Sequence, residues 1–126
     1  MTVVLDAGAL IAVQRSDRET MALIKIEMQA GRLPRTHGGI VGQVWREARG
    51  RQANLARLLS GVDIQPLDDA LGRRAGVLLG RARRSDVVDA ALVLLASDGD
   101  TILTSDPRDL RPLAAEAGLQ VDLVEV

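Results

Sequence analysis

The chain has 126 residues, 47% of them hydrophobic and 26% charged, and a net charge of −1. That is enough for one domain with a real core, expected over residues 1–126. With no cysteine, one histidine (His37) and one aromatic residue (Trp45), disulfides, thiolate metal sites, multi-imidazole zinc sites and stacked-ring nucleic-acid platforms are excluded.

The elements alternate along the chain. Thr2 to Leu5 is a short apolar strand, followed by helices over about Ala9–Gln14 and Asp17–Ala30. Arg32–Arg35 is a weak strand candidate. Helices are expected at Gly39–Arg49 and Gln52–Leu59, then a strand at Val62–Pro66. Asp68–Arg83 is helical, with Leu71, Ala75, Leu78, Leu79 and Ala82 on one face. Asp86–Ala96 is helical and apolar nearly all round, hence buried. Thr101–Thr104 is a strand, Pro107–Ala117 a helix with Pro in its first turn and Gly118 after its end, and Gln120–Val124 a final strand. This alternation predicts an α/β, three-layer sandwich around a mainly parallel central sheet, with ligands beyond the carboxyl ends of its strands.

No apolar run approaches the roughly 18–20 residues that span a bilayer, and no basic region followed by a long apolar stretch opens the chain. The expectation is a cytoplasmic protein without signal peptide or membrane contact. Charge is uneven: net 0 over residues 1–34, +6 over 35–84 and −7 over 85–126. A basic middle beside an acidic end suits an RNA-contacting face next to a cation site; it equally suits a set of solvated helix faces. Trp45 reads as core or dimer interface, and His37, beside Gly38-Gly39, as a loop residue without a role.

Four acids stand where a lone carboxylate is costly. Asp6 follows the apolar run Val3-Val4-Leu5. Glu47 edges the apolar arc of Ile40, Val41, Val44 and Ala48. Asp89 lies in a helix without a polar face between Val87 and Ala96, and Asp106 follows Ile102-Leu103-Thr104-Ser105. Each also has a local explanation. Asp6 can cap a helix starting near Gly8, and Glu47 can pair with Arg51. Asp86 and Asp89 can form a capping-box-like pair, and Asp106-Pro107 is a good helix start. Converging on a hard cation, the four become a metal site suited to phosphodiester hydrolysis. With oxygen ligands alone, magnesium or manganese is favoured.

Their joint placement resembles the PIN-domain ribonucleases. The matching segments are Val3-Val4-Leu5-Asp6-Ala7-Gly8-Ala9-Leu10-Ile11-Ala12, Val44-Trp45-Arg46-Glu47, Asp86-Val87-Val88-Asp89-Ala90 and Leu103-Thr104-Ser105-Asp106-Pro107-Arg108-Asp109-Leu110. The compact length is similar to the VapC-type toxins of type II toxin–antitoxin pairs. The resemblance implies a PIN-like fold and a metal-dependent endoribonuclease. Asp6, Glu47, Asp89 and Asp106 would hold Mg2+ or Mn2+, with Asp86 as an extra acid nearby. It also implies an RNA substrate, a cognate antitoxin protein and a homodimer. The family often has Ser or Thr two residues after the first Asp, where this chain has Gly8. Support for Asp6 is then expected from Thr104 or Ser105. The competing readings are a PIN-like interaction module that no longer cuts, and a receiver-like or phosphatase-like phosphoryl-transfer domain. The second of these needs another acid close to Asp6, and Ala7-Gly8-Ala9 supplies none.

Overall fold

The computed structural model describes residues 1–47 and 50–126. Five strands form one sheet: β1 (Val3–Leu5), β2 (Arg35–His37), β3 (Asp63–Gln65), β4 (Thr101–Thr104) and β5 (Asp122–Glu125). Their order is β3-β2-β1-β4-β5, and every pairing is parallel, as in Val4 with Ile102 and Thr36 with Ile64. The central pair forms the floor of the core, with Val4, Leu5, Ile102 and Leu103 fully buried. A strand buried on both faces reads as a continuous apolar run, which is why β1 and β4 were plain in the sequence.

The described helices are α1 (Ala7–Gln14), α2 (Arg18–Gln29), α3 (Gly38–Val44), α4 (Ala53–Leu59), α5 (Asp69–Ala82), α6 (Val87–Val93) and α7 (Pro107–Glu116). α1 packs on α2, α3 and α4, while α5, α6 and α7 pack on one another. By the right-handed rule for crossovers between parallel strands, the connections running from β1 to β3 and those running from β3 to β5 lie on opposite faces of the sheet, which gives the three layers. Acidic N-caps start several helices: the Asp17 and Asp68 carboxylates accept from the backbone N–H of Thr20 and Leu71. α5 stops at Arg83, whose φ of 56° is left-handed. None of the described helices is long and apolar enough to cross a membrane.

Three elements differ from expectation by three residues or more at one end. β2 lies at Arg35–His37 rather than Arg32–Arg35, so His37 is a buried strand residue and not part of a loop. α6 ends at Val93, three residues early. α3 ends at Val44, five residues before Arg49. Its termination has an identifiable cause in Gln52. The Gln52 Oε1 accepts from the Arg46 N–H at 3.0 Å, and its Nε2 donates to the Val44 carbonyl at 3.0 Å. The Arg46 guanidinium reaches back to the Gly42 carbonyl. Side chains thus take the backbone groups that another helical turn would have used. The Ala48 member of the expected apolar arc, and Arg49, lie outside the described residues.

On either side of β1 the chain progresses in opposite directions, towards β2 and β3 one way and β4 and β5 the other. The β1/β4 seam is therefore the topological switch point, where open parallel sheets place their ligands.

Candidate metal centre at the switch point

Asp6 leaves the carboxyl end of β1 and is buried. Its Oδ1 accepts from the Ala7 N–H at 2.8 Å, so it does cap α1. Its Oδ2 accepts from the Thr104 hydroxyl at 2.6 Å. The same hydroxyl oxygen accepts from the Asp106 N–H at 3.0 Å. One fully buried Thr104 hydroxyl at the end of β4 therefore orients the carboxylate of one acid and the backbone of another.

Thr104 is the support that Gly8 cannot give. The missing side chain at Gly8 is also a packing requirement. A Cβ there would stand 2.5 Å from the Ser105 Oγ and 2.8 Å from the Ser105 nitrogen. A side chain at this position would have to displace the β4–α7 connection.

Asp106 occupies the N-cap position of α7 but makes no side-chain capping bond. Helix capping, the local explanation for this residue, is not what its carboxylate does. Asp86 caps α6, accepting from the Asp89 N–H at 3.1 Å. Asp89 is half-buried in the first turn of α6. Burial pushes its carboxyl up to about 7, helped by the charges of Asp86, Asp6, Asp109 and Asp106. Asp109 is raised as well, first by its hydrogen bond with Asp106 and then by that residue's charge. It was not among the site residues expected from sequence, although its place one helical turn after Asp106 was a usable signal. Asp86, Asp89 and Asp109 share a cleft of about 140 Å³ with Arg84.

Glu47 is placed apart from this group. It follows the end of α3, is exposed, and has a left-handed backbone with φ of 54°. It is not among the charges that raise Asp89. The expectation that Glu47 lies on a helix is overturned by the early stop at Val44. Its neighbour Trp45 is 39% exposed.

The donor chemistry fits a hard divalent cation. All donors are carboxylate oxygens, and their mutual repulsion is what such a cation relieves. Among the described residues no three acidic or imidazole side chains stand close enough together to hold an ion. The acids on the seam and α6 share a field, and Glu47 stands outside it.

No protein-family model matches the chain, and no curated protein matches its sequence. A solved structure does match in shape: the crystal structure of VapBC2 from Rickettsia felis bound to a DNA fragment from their promoter. The two chains superpose with a TM-score of 0.70 over 98% of each, at 9% identity. The fold is PIN-like. At that identity the likeness speaks for architecture, and the expectation of a parallel α/β sandwich of this type holds.

Proposed function

We propose that this chain is a divalent-metal-dependent endoribonuclease, the toxin of a type II toxin–antitoxin pair. The observation that carries the reading is Asp89. Its carboxyl is raised to about 7 by burial and by four other carboxylates, at the switch point of a PIN-like sheet. Asp6, Asp89 and Asp106 would hold Mg2+ or Mn2+, with Glu47 as the fourth member by resemblance. When bound, the cation offsets charge on the phosphodiester and makes water more acidic.

The rest is done by the protein's own groups. Ala7 and Thr104 fix both oxygens of Asp6, so it presents a preorganised carboxylate. Asp106, hydrogen-bonded to Asp109 and not used in capping, would orient or deprotonate an attacking water. Arg84 beside the cleft is placed to meet a phosphate of a single-stranded or looped RNA. The likeness to a VapBC2 chain supports an antitoxin protein as partner, and the family resemblance supports a homodimer.

The outward position of Glu47 favours a second reading, a PIN-like module that binds without cutting. A metal titration separates the two. Under the nuclease reading, millimolar Mg2+ or Mn2+ raises the Tm through binding to the folded state, and RNA is cleaved. The Asp89→Asn variant then folds and does not cleave. An unchanged Tm together with intact RNA would leave the interaction module.

A further inference from the structure

His37 is the chain's one histidine, and none of the chemistry above uses it. It closes β2 and is fully buried. Its Nδ1 accepts from the Gly39 N–H at 3.0 Å, in the first turn of α3. Its Nε2 stands 2.9 Å from the Val88 carbonyl, in the first turn of α6 and one residue before Asp89. A nitrogen that receives a backbone N–H carries no proton, so the proton sits on Nε2, which donates to Val88. Burial holds the ring's pKa below its ordinary value, although the hydrogen bond to Val88 and then the Asp6 charge pull the other way.

The strand that carries His37 is itself fastened beside Asp6. The preceding Thr36 hydroxyl donates to the Leu5 carbonyl at 2.8 Å, in the residue before Asp6. A continuous path therefore runs Asp6–Leu5–Thr36–His37–Val88–Asp89, joined by two hydrogen bonds, the first buried and the second part-buried. Asp6 and Asp89 repel each other. Among the described residues, the His37–Val88 bond is the one side-chain hydrogen bond from the sheet to the first turn of α6.

We propose that His37 is a positioning residue: it sets Asp89 against Asp6 and thereby the divalent-cation affinity of the site. This rests on the reading of the acids as a cation site. Outer partners that orient ligands in this way change metal affinity by about 10- to 100-fold when removed.

Two substitutions separate the ring's two jobs. In His37→Asn the amide oxygen keeps the cap on Gly39, a role that suits Asn, but the side chain is too short to reach Val88. In His37→Gln the amide nitrogen can take the place of Nε2 and donate to Val88. The full chain, freed of metal, is titrated with Mn2+ by calorimetry, and amide exchange at Asp89 and Ala90 is followed in the metal-free protein. The expected result is Mn2+ affinity at least about tenfold weaker in His37→Asn, with faster exchange at both amides, and near wild-type behaviour in His37→Gln. Wild-type affinity and exchange in His37→Asn would overturn the proposal. So would a tenfold loss of affinity in a folded His37→Gln, including when His37→Asn does not fold. If the wild type binds no Mn2+, the cation reading fails, and the exchange comparison alone decides whether His37 ties α6 to the sheet.

Discussion

Asp6 and Glu47 are held in opposite ways. Asp6 sits on the β1/β4 seam with both carboxylate oxygens hydrogen-bonded and almost no exposure. Glu47 sits on an exposed stretch after α3, in a left-handed conformation that a non-glycine residue rarely adopts. The difference teaches where the rigidity of the candidate centre lies. Strand register, a buried Thr and the start of α6 fix the seam acids together. The end of α3 is instead held by Gln52, which bonds the Arg46 N–H and the Val44 carbonyl. The seam holds its acids in fixed positions, and Glu47 belongs to a separately determined piece of chain.

The largest stability effect should come from cutting the seam. Thr104→Val keeps the shape of the side chain and removes its hydroxyl. Asp6 Oδ2 and the Asp106 N–H both lose a partner, one of them deep in the core. Stranding such groups costs about 1–3 kcal/mol, roughly 3–10 °C in Tm for a chain of this size. RNA cleavage should fall with it. A Thr104→Val protein with wild-type Tm and cleavage would mean that the seam is not what holds the acids.

The next effect is a pH dependence belonging to the seam and α6 alone. The Asp89 carboxyl lies at about 7 when folded, against an ordinary 3.8. Between those values the folded chain keeps a proton that the unfolded chain has lost. Stability from this group therefore falls as pH rises from about 4 to about 7 and stays low above that. His37 works in the opposite sense. Its folded pKa is lowered, so its contribution is present above the ordinary 6.5 and is lost as pH falls through and below it. The Asp89→Asn variant isolates the first contribution. In metal-free protein its Tm advantage over wild type should be small at pH 4, grow towards pH 7 and then level off. Added Mg2+ or Mn2+ should shrink that advantage at pH 8. A gap between the two proteins that is the same at pH 4 and pH 8 would sink the assignment of a raised carboxyl to Asp89.

The same contrast explains what was legible in the sequence. Asp6 and Asp106 could be placed because each follows an apolar run, and a run of that kind is a buried strand whose end faces the ligand side of a parallel sheet. Asp89 could be placed because its helix has no polar face to offer it. Glu47 could not. Its position was inferred by continuing the period of Ile40, Val41 and Val44, and no periodicity contains the side chain of Gln52, which reaches from six residues beyond Arg46 to end the helix. His37 was missed for a related reason. Hydropathy places an imidazole next to two glycines in a loop. Here hydrogen bonds at both nitrogens make full burial affordable.

The smallest stability effect, and the one that bears on Glu47 directly, is at its backbone. A left-handed residue with a side chain is strained by about 1–2 kcal/mol relative to glycine, part of which glycine gives back through the freedom of the unfolded chain. Glu47→Gly should therefore leave the Tm unchanged or raise it by the equivalent of up to about 1 kcal/mol. Glu47→Gln keeps the backbone and the size while removing the charge, and for an exposed side chain it should not move the Tm in metal-free protein. The pair then separates two roles for the residue. If Glu47 joins the seam acids when cation and RNA are present, Glu47→Gln lowers cleavage sharply at unchanged Tm, and Glu47→Gly does the same. If both variants cleave like wild type, the seam acids and α6 make up the whole site, and Glu47 is a surface residue of the α3–α4 connection.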